Sequence, residues 1–123
     1  MAEPASWLRF VQWDGFVRDW ADLGLDDEDL QSLEMGIMLH PDRAPVISGT
    51  GGVRKLRVAP RGWKEGKSGG LRVLYLHVAE KGIVVLLLAY HKSDQEDLTP
   101  AEKNAIKSLV ARIQKCFSDG VQK

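Results

Sequence analysis

The sequence has a single cysteine, Cys116, so no internal disulfide can form, and a lone thiol fits a reducing compartment. It lacks a long hydrophobic run. The longest, Ile83–Tyr90, is less than half of the roughly 20 residues that a bilayer span needs, which excludes a transmembrane helix. Glu3, Arg9 and Asp14 interrupt any apolar stretch near the N-terminus, so a secretory signal is not expected and the protein is read as cytoplasmic. No repeat, low-complexity tract or linker divides the 123 residues, a length that suits one domain over 1–123 with a modest core. Net charge is also missing, because 17 Lys+Arg offset 17 Asp+Glu. Taken whole, that argues against a polyanionic partner.

Divided along the chain, the zero becomes a sum of opposed blocks. Residues 1–42 hold ten acids against Arg9 and Arg18, for −8. Residues 43–92 hold ten bases against Glu65 and Glu80, for +8. Residues 93–123 hold five of each. A basic block of this size is the composition of a surface that meets a polyanion.

Hydrophobic spacing divides the chain into seven elements. Residues 7–12 read as a short strand or an early helix start. From Asp14, the residues Phe16, Val17, Trp20, Ala21 and Leu23 recur at helical spacing up to Gly24. The acids Asp26–Asp29 open a second helix whose inward face is Leu30, Leu33, Ile37 and Met38, and Pro41 ends it. After the turn-rich stretch 41–52, Val53–Ala59, Leu71–Ala79 and Ile83–His91 read as strands, the last two joined as a hairpin by Glu80-Lys81-Gly82. Ile83–Leu88 is apolar on both faces, which predicts a central strand. Thr99-Pro100-Ala101-Glu102 carries the signals of a capped helix start, and Ile106, Leu109, Val110, Ile113 and Phe117 mark its buried face. The order is β-α-α-β-β-β-α, a small α+β domain.

Several chemistries lack their residues. Gly62-Trp63-Lys64-Glu65-Gly66-Lys67-Ser68 invites a phosphate-loop reading, but three residues separate its glycines where four are needed. It also leads into a strand rather than a helix N-terminus. His40, His77 and His91 have no metal-ligand spacing, and no metal site is expected. Ser48, Ser68 and Ser93 sit in no nucleophile-elbow context. Cys116 reads as a core or boundary residue, and the eight acids from Asp14 to Glu34 as a solvated helical face.

The bases carry more information. Period-two alternation over residues 53–59 turns Lys55 and Arg57 to one face and Leu56 and Val58 to the other, with Arg54 sharing the apolar parity at the strand's edge. Arg72 and Tyr75 lie on the next strand, and Tyr90 and Lys92 close the third. The loop adds Arg61, Lys64 and Lys67 and one aromatic, Trp63. Cations interleaved with rings suit single-stranded RNA, whose phosphates need neutralising and whose unstacked bases need a platform. An ordinary polar sheet face accounts for the same residues equally well.

Three segments break that tie: Gly49-Thr50-Gly51-Gly52-Val53-Arg54-Lys55-Leu56-Arg57, Lys67-Ser68-Gly69-Gly70-Leu71-Arg72-Val73-Leu74-Tyr75, and Tyr90–Thr99. In order and spacing they resemble the RelE/HigB-like toxins of bacterial type II toxin–antitoxin modules, over roughly residues 14–115. The acidic helical stretch ending in Met38-Leu39-His40-Pro41 is similar to the family's as well. The resemblance implies an antiparallel sheet packed against helices, with no metal and no cofactor. It implies cleavage of mRNA in the ribosomal A site and inhibition by a cognate helix-turn-helix antitoxin. A non-cleaving RNA-, ribosome- or antitoxin-binding module is the alternative. The implied chemistry is attack of a ribose 2′-hydroxyl on the adjacent phosphate, which calls for a base, cations for the phosphorane charge, and an acid for the leaving oxygen. Carried over, Lys55 and Arg57 match positions acting on the phosphate or as base, and Arg72 matches a phosphate-stabilising arginine. Lys92 falls in the closing catalytic segment. There the chain departs from the better-studied RelE-type enzymes: Ser93 and Thr99 stand where those have an arginine and a tyrosine, which leaves Tyr90 or His91 as substitutes. The expected catalytic set is Lys55, Arg57, Arg72, Tyr90 and Lys92, with Arg54, Arg61, Trp63, Lys64 and Lys67 as RNA contacts.

Overall fold

The apolar run from Ile83 forms the strand around which the sheet is built. In the computed structural model, which describes residues 8–63, 69–95 and 97–118, the elements are β1 (Arg9–Gln12), α1 (Asp14–Asp22), α2 (Asp27–Leu39), β2 (Arg54–Val58), β3 (Leu71–Val78), β4 (Ile83–His91) and α3 (Pro100–Ser118). The sheet order is β1-β4-β3-β2, so β4 lies inside it, as its two apolar faces require. No described helix is long and apolar enough to cross a membrane.

The sheet is mixed rather than antiparallel. The strands β2, β3 and β4 pair antiparallel, but β1 runs parallel to β4, from Arg9 opposite Ile83 to Gln12 opposite Leu86. The parallel direction follows from where α1 must go. It delivers the chain beside the middle of β4, where the Trp13 N–H donates to the Leu86 carbonyl at 2.9 Å, and α1 then packs straight back over the strand. With β1 ended, the Ala89 N–H has no strand partner, and the Asp19 carboxylate of α1 accepts from it at 3.0 Å.

Helices cover both sides. On the first, Phe16 and Trp20 of α1 stack at 5.2 Å and, with Leu33 and Ile37 of α2, bury Leu71, Val73, Tyr75, Val84, Leu86 and Ala89. On the second, Ile106, Val110 and Ile113 of α3 bury Val53, Leu74, Leu76, Val85 and Leu87. Each such Leu or Ile, fully removed from water, contributes about 1.5–3 kcal/mol.

Caps fix where the helices begin. Asp26 accepts from the Asp29 N–H at 2.9 Å while Asp29 accepts from the Asp26 N–H at 3.1 Å, and the Asp29 N–H bond holds the Asp26 carboxyl below its usual 3.8. In α3, Thr99 Oγ1 accepts from the Glu102 N–H at 3.1 Å and Glu102 returns the bond to the Thr99 N–H at 2.8 Å. The stretch after α2 is tied down by Tyr75, whose hydroxyl donates to the Pro41 carbonyl at 2.7 Å, and by Arg54, which donates to the carbonyls of Asp42 and Ala44.

One irregularity resets the geometry of β4. Leu74 pairs with Leu88, but the next β3 residue, Tyr75, pairs with Leu86, so Leu87 is an extra residue in β4. Below this bulge the odd-numbered residues of β4 face α3. Above it the even-numbered ones do.

Candidate active site

Above the bulge, three strands place one residue each in a cross-strand row. Arg57 of β2 lies opposite Arg72 of β3, which lies opposite Tyr90 of β4, all on the α3 side. Lys55 sits one row below, opposite Leu74. The alternation read from the sequence thus holds, since Leu56 and Val58 turn to the α1–α2 side. The core-facing part of α3 ends near Ile106, so this end of the face is left open.

Two arginines directly opposite one another repel, and among the described residues no acid pairs with either. Among the described residues Arg57 has no hydrogen bond or ion pair, whereas Arg72 donates only to the carbonyls of Gly69 and Leu71, at 3.0 and 3.3 Å. Such a pair is a site for an anion. The turn leading into it admits only glycine at position 69. Its φ is +70°, and a Cβ there would lie 2.5 Å from the Val58 carbonyl oxygen.

Tyr90 supplies the third group. Its hydroxyl is buried with no hydrogen-bond partner, the one such side-chain atom among the described residues. Burial raises its pKa above 10.0. The Arg72 charge acts against that rise, and the carboxylates of Asp97 and Glu102 add to it. A cavity of about 320 Å³ opens beside it, lined by Ile47, Lys55, Asp97, Leu98 and Lys103. Lys55 Nζ stands 3.4 Å from Asp97 Oδ1, a carboxylate that is 82% exposed. Lys92 follows the end of β4, where its backbone N–H donates to the Gly70 carbonyl at 2.8 Å.

The remaining expected contacts are elsewhere. Arg54 faces the α1–α2 side, bonded to the Asp42 and Ala44 carbonyls and 3.5 Å from the Asp42 carboxylate. Arg61 pairs with Glu28 of α2 at 2.7 Å. Trp63 packs on the α1–α2 core and against the His91 ring at 5.3 Å. These three lie across the sheet from the row, Arg54 because it shares the parity of Leu56 and Val58 in β2, Arg61 and Trp63 because the chain leaving β2 turns toward α2. Lys64 and Lys67 lie outside the described residues. Ser93 and Thr99 have structural partners: Ser93 bonds His91 Nδ1 at 2.7 Å, and Thr99 caps α3. Sequence reasoning did not single out Asp97, Leu98 and Lys103 as neighbours of Tyr90. A loop that folds back over a sheet leaves no periodic signal.

The family model described as the RelE toxin of the RelE/RelB toxin–antitoxin system matches residues 48–123, more than half of the chain and all of the cation row. The chain belongs to the RelE toxin family. The match begins after α2, so the acidic helices stand outside it. Among solved structures, this RelE-family chain is similar to the E. coli toxin RelE, seen as a double arginine-to-alanine mutant in the free state. The TM-score is 0.52 and the identity 17%, covering 72% of this chain and 87% of that one, a likeness of fold. The chain is thus a toxin of a toxin–antitoxin system, of a family of ribonucleases and with an antitoxin as partner.

Proposed function

We propose that the chain is a ribosome-dependent mRNA endonuclease that cleaves in the A site without a metal and is neutralised by a cognate helix-turn-helix antitoxin. The observation that carries this reading is the row Arg57–Arg72–Tyr90, two facing guanidiniums ending at a buried hydroxyl that has no protein partner.

The row suits an in-line transfer. Lys55, one row below, takes the proton of a ribose 2′-hydroxyl, and that oxygen attacks the adjacent phosphorus. Charge gathers on the non-bridging oxygens, where Arg57 and Arg72 receive it. The phosphorus–O5′ bond breaks, and the Tyr90 hydroxyl gives its proton to the departing oxygen. The products are a 2′,3′-cyclic phosphate and a free 5′-hydroxyl. Lys92, just past β4, holds a neighbouring backbone phosphate. Tyr90 takes the acid role because its hydroxyl has a proton to give and no protein acceptor for it among the described residues, while Ser93 Oγ is bonded to the His91 ring and Thr99 caps α3.

Primer extension on transcripts from cells induced to express the chain tests the reading. New 5′ ends within translated regions are expected, and Arg72→Ala is expected to abolish them. Intact transcripts with the wild-type chain would overturn it. That same result, with translation still arrested, would favour the second reading, a non-cleaving RNA- or ribosome-binding module, to which the departures at Ser93 and Thr99 point.

A further inference from the structure

The turn Gly49-Thr50-Gly51-Gly52, which leads into β2, is closed from inside by its threonine. Thr50 is fully buried, and its Oγ1 donates to the Ile47 carbonyl at 2.7 Å while accepting from the Val53 N–H at 3.1 Å. Gly49 and Gly51 take φ of +84° and +83°, the region that a side chain makes strained. The closed turn lies against α3. A Cβ built on Gly49 would stand 3.6 Å from Lys103 Cδ, and one on Gly51 would stand 3.8 Å from Lys107 Cγ and 3.4 Å from Val110 Cγ1. The stems of both lysines therefore lie along bare, fixed backbone, which limits where their ammonium groups reach.

Both positions are unfavourable for a cation. Lys103 stands in the first turn of α3, where the helix dipole opposes positive charge, and Lys107 follows four residues on, where two like charges repel. Neither ammonium has a hydrogen-bond or ion-pair partner among the described residues. Glu102, beside Lys103, is committed to the cap: it accepts from the Thr99 N–H at 2.8 Å and from Gln95 Nε2 at 2.7 Å. Asp97 lines the same cavity as Lys103, but its carboxylate stands 3.4 Å from Lys55 Nζ. That cavity opens beside Tyr90, so the charge of Lys103 begins where the cation row ends. Lys107 carries it about 5.4 Å further along α3.

We propose that Lys103 and Lys107 hold backbone phosphates of the RNA strand beyond the one that the row engages. The strand then passes Tyr90 and runs along the seam between the 49–52 turn and the first turns of α3. Ammonium groups with no protein partner give up nothing to meet a phosphate, and fixed stems lower the entropy lost when they do. The closed turn thereby has a use: it is the platform that aims the two lysines, and glycine at 49 and 51 leaves their stems room to lie on it. The inference deepens the endonuclease reading and rests on the row being the phosphate site. It can fail alone, since primer extension reports the cut and RNA binding by the purified chain reports the track.

The probe is a ten-nucleotide uridine oligomer, long enough to pass beyond the row and 2′-O-methylated so that it cannot be cut. Its binding to the full chain is followed by fluorescence anisotropy across a salt series. Lys103→Gln is expected to flatten the log–log slope by about 0.7, and Lys103→Gln with Lys107→Gln by about 1.4, the share of two single-strand phosphates. Lys103→Arg with Lys107→Arg should keep the wild-type slope. So should Arg112→Gln, which removes an exposed charge half a revolution around the same helix from Lys103. In the wild-type chain the oligomer is expected to shield Lys103 and Lys107 from an amine-acylating ester, and polyglutamate of equal charge is not. Unchanged melting temperatures check that the variants fold. No binding of the oligomer, an unchanged slope in the double glutamine variant, equal flattening by Arg112→Gln, or equal shielding by polyglutamate would overturn the inference.

Discussion

At the scale of single residues, Tyr90 separates activity from stability. Its buried hydroxyl has no partner, and an unsatisfied polar group costs about 1–3 kcal/mol. Tyr90→Phe is therefore expected to raise the melting temperature while lowering the cleavage rate by about 10²-fold or more, the usual contribution of a general acid. Burial keeps the phenol protonated well past neutrality, so the alkaline limb of the wild-type rate belongs above pH 10.0 and disappears in the variant. Stopped assays across alkaline pH check this. Asp42 makes the opposite case. The hydrogen bond from His77, at 2.7 Å, and the nearby Arg54 charge hold its carboxyl below 3.8. A folded-state value below the unfolded one stabilises the protein above about pH 4 and is lost as pH falls through the folded value. The melting-temperature gap between wild type and Asp42→Asn is expected to be open at about pH 6 and to close in acid. The sequence announced the polar role of Lys55 and Arg57 through alternation alone. It did not show that Asp42, His77 and Arg54 meet, across about 35 residues of chain.

At the scale of elements, the start of α3 and the turn before β3 are the sensitive joints. Thr99→Ala removes one arm of the capping box and is expected to cost about 1 kcal/mol in urea unfolding. Gly69→Ala is expected to cost roughly 3 kcal/mol, since it combines a left-handed φ with a clash against the Val58 carbonyl. It displaces the carbonyl that Arg72 uses, so cleavage should fall more steeply than stability explains. Legibility was good wherever signals were local. Caps, turn glycines and the apolar runs placed the elements from α1 to α3 in order, and the two-sided run of β4 put that strand inside the sheet. It was poor where partners were distant. Nothing in Arg9–Gln12 states which strand it joins or in which direction, so the parallel pairing that makes the sheet mixed has no local signature. Nor did the basic loop show that Arg61 and Trp63 turn to the α2 side, because a loop has no period to read.

At the scale of the whole molecule, the balanced charge is a segregated one. Acids are in excess over residues 1–42, which hold α1 and α2, and bases over residues 43–92, which hold β2, β3 and β4, and fields are largely screened beyond about 10 Å at ordinary salt. Binding of a short single-stranded RNA should weaken with salt at a log–log slope of about −0.7 for each phosphate met, near −2 for Arg57, Arg72 and Lys92 together. Fluorescence anisotropy across a salt series is the measurement, and Arg72→Ala should flatten the slope by about 0.7. The bulge at Leu87 also reaches beyond local geometry. Were the ladder to run on unbroken from Tyr75 opposite Leu86, Arg72 would lie opposite Ala89, and an alanine, not Tyr90, would complete the row with Arg57 and Arg72. Whether the row ends in a hydroxyl or a methyl group is therefore decided by one irregularity in β4. It is decided several residues away from the reacting phosphate, by a difference of register that no comparison of aligned active-site residues would record as a substitution.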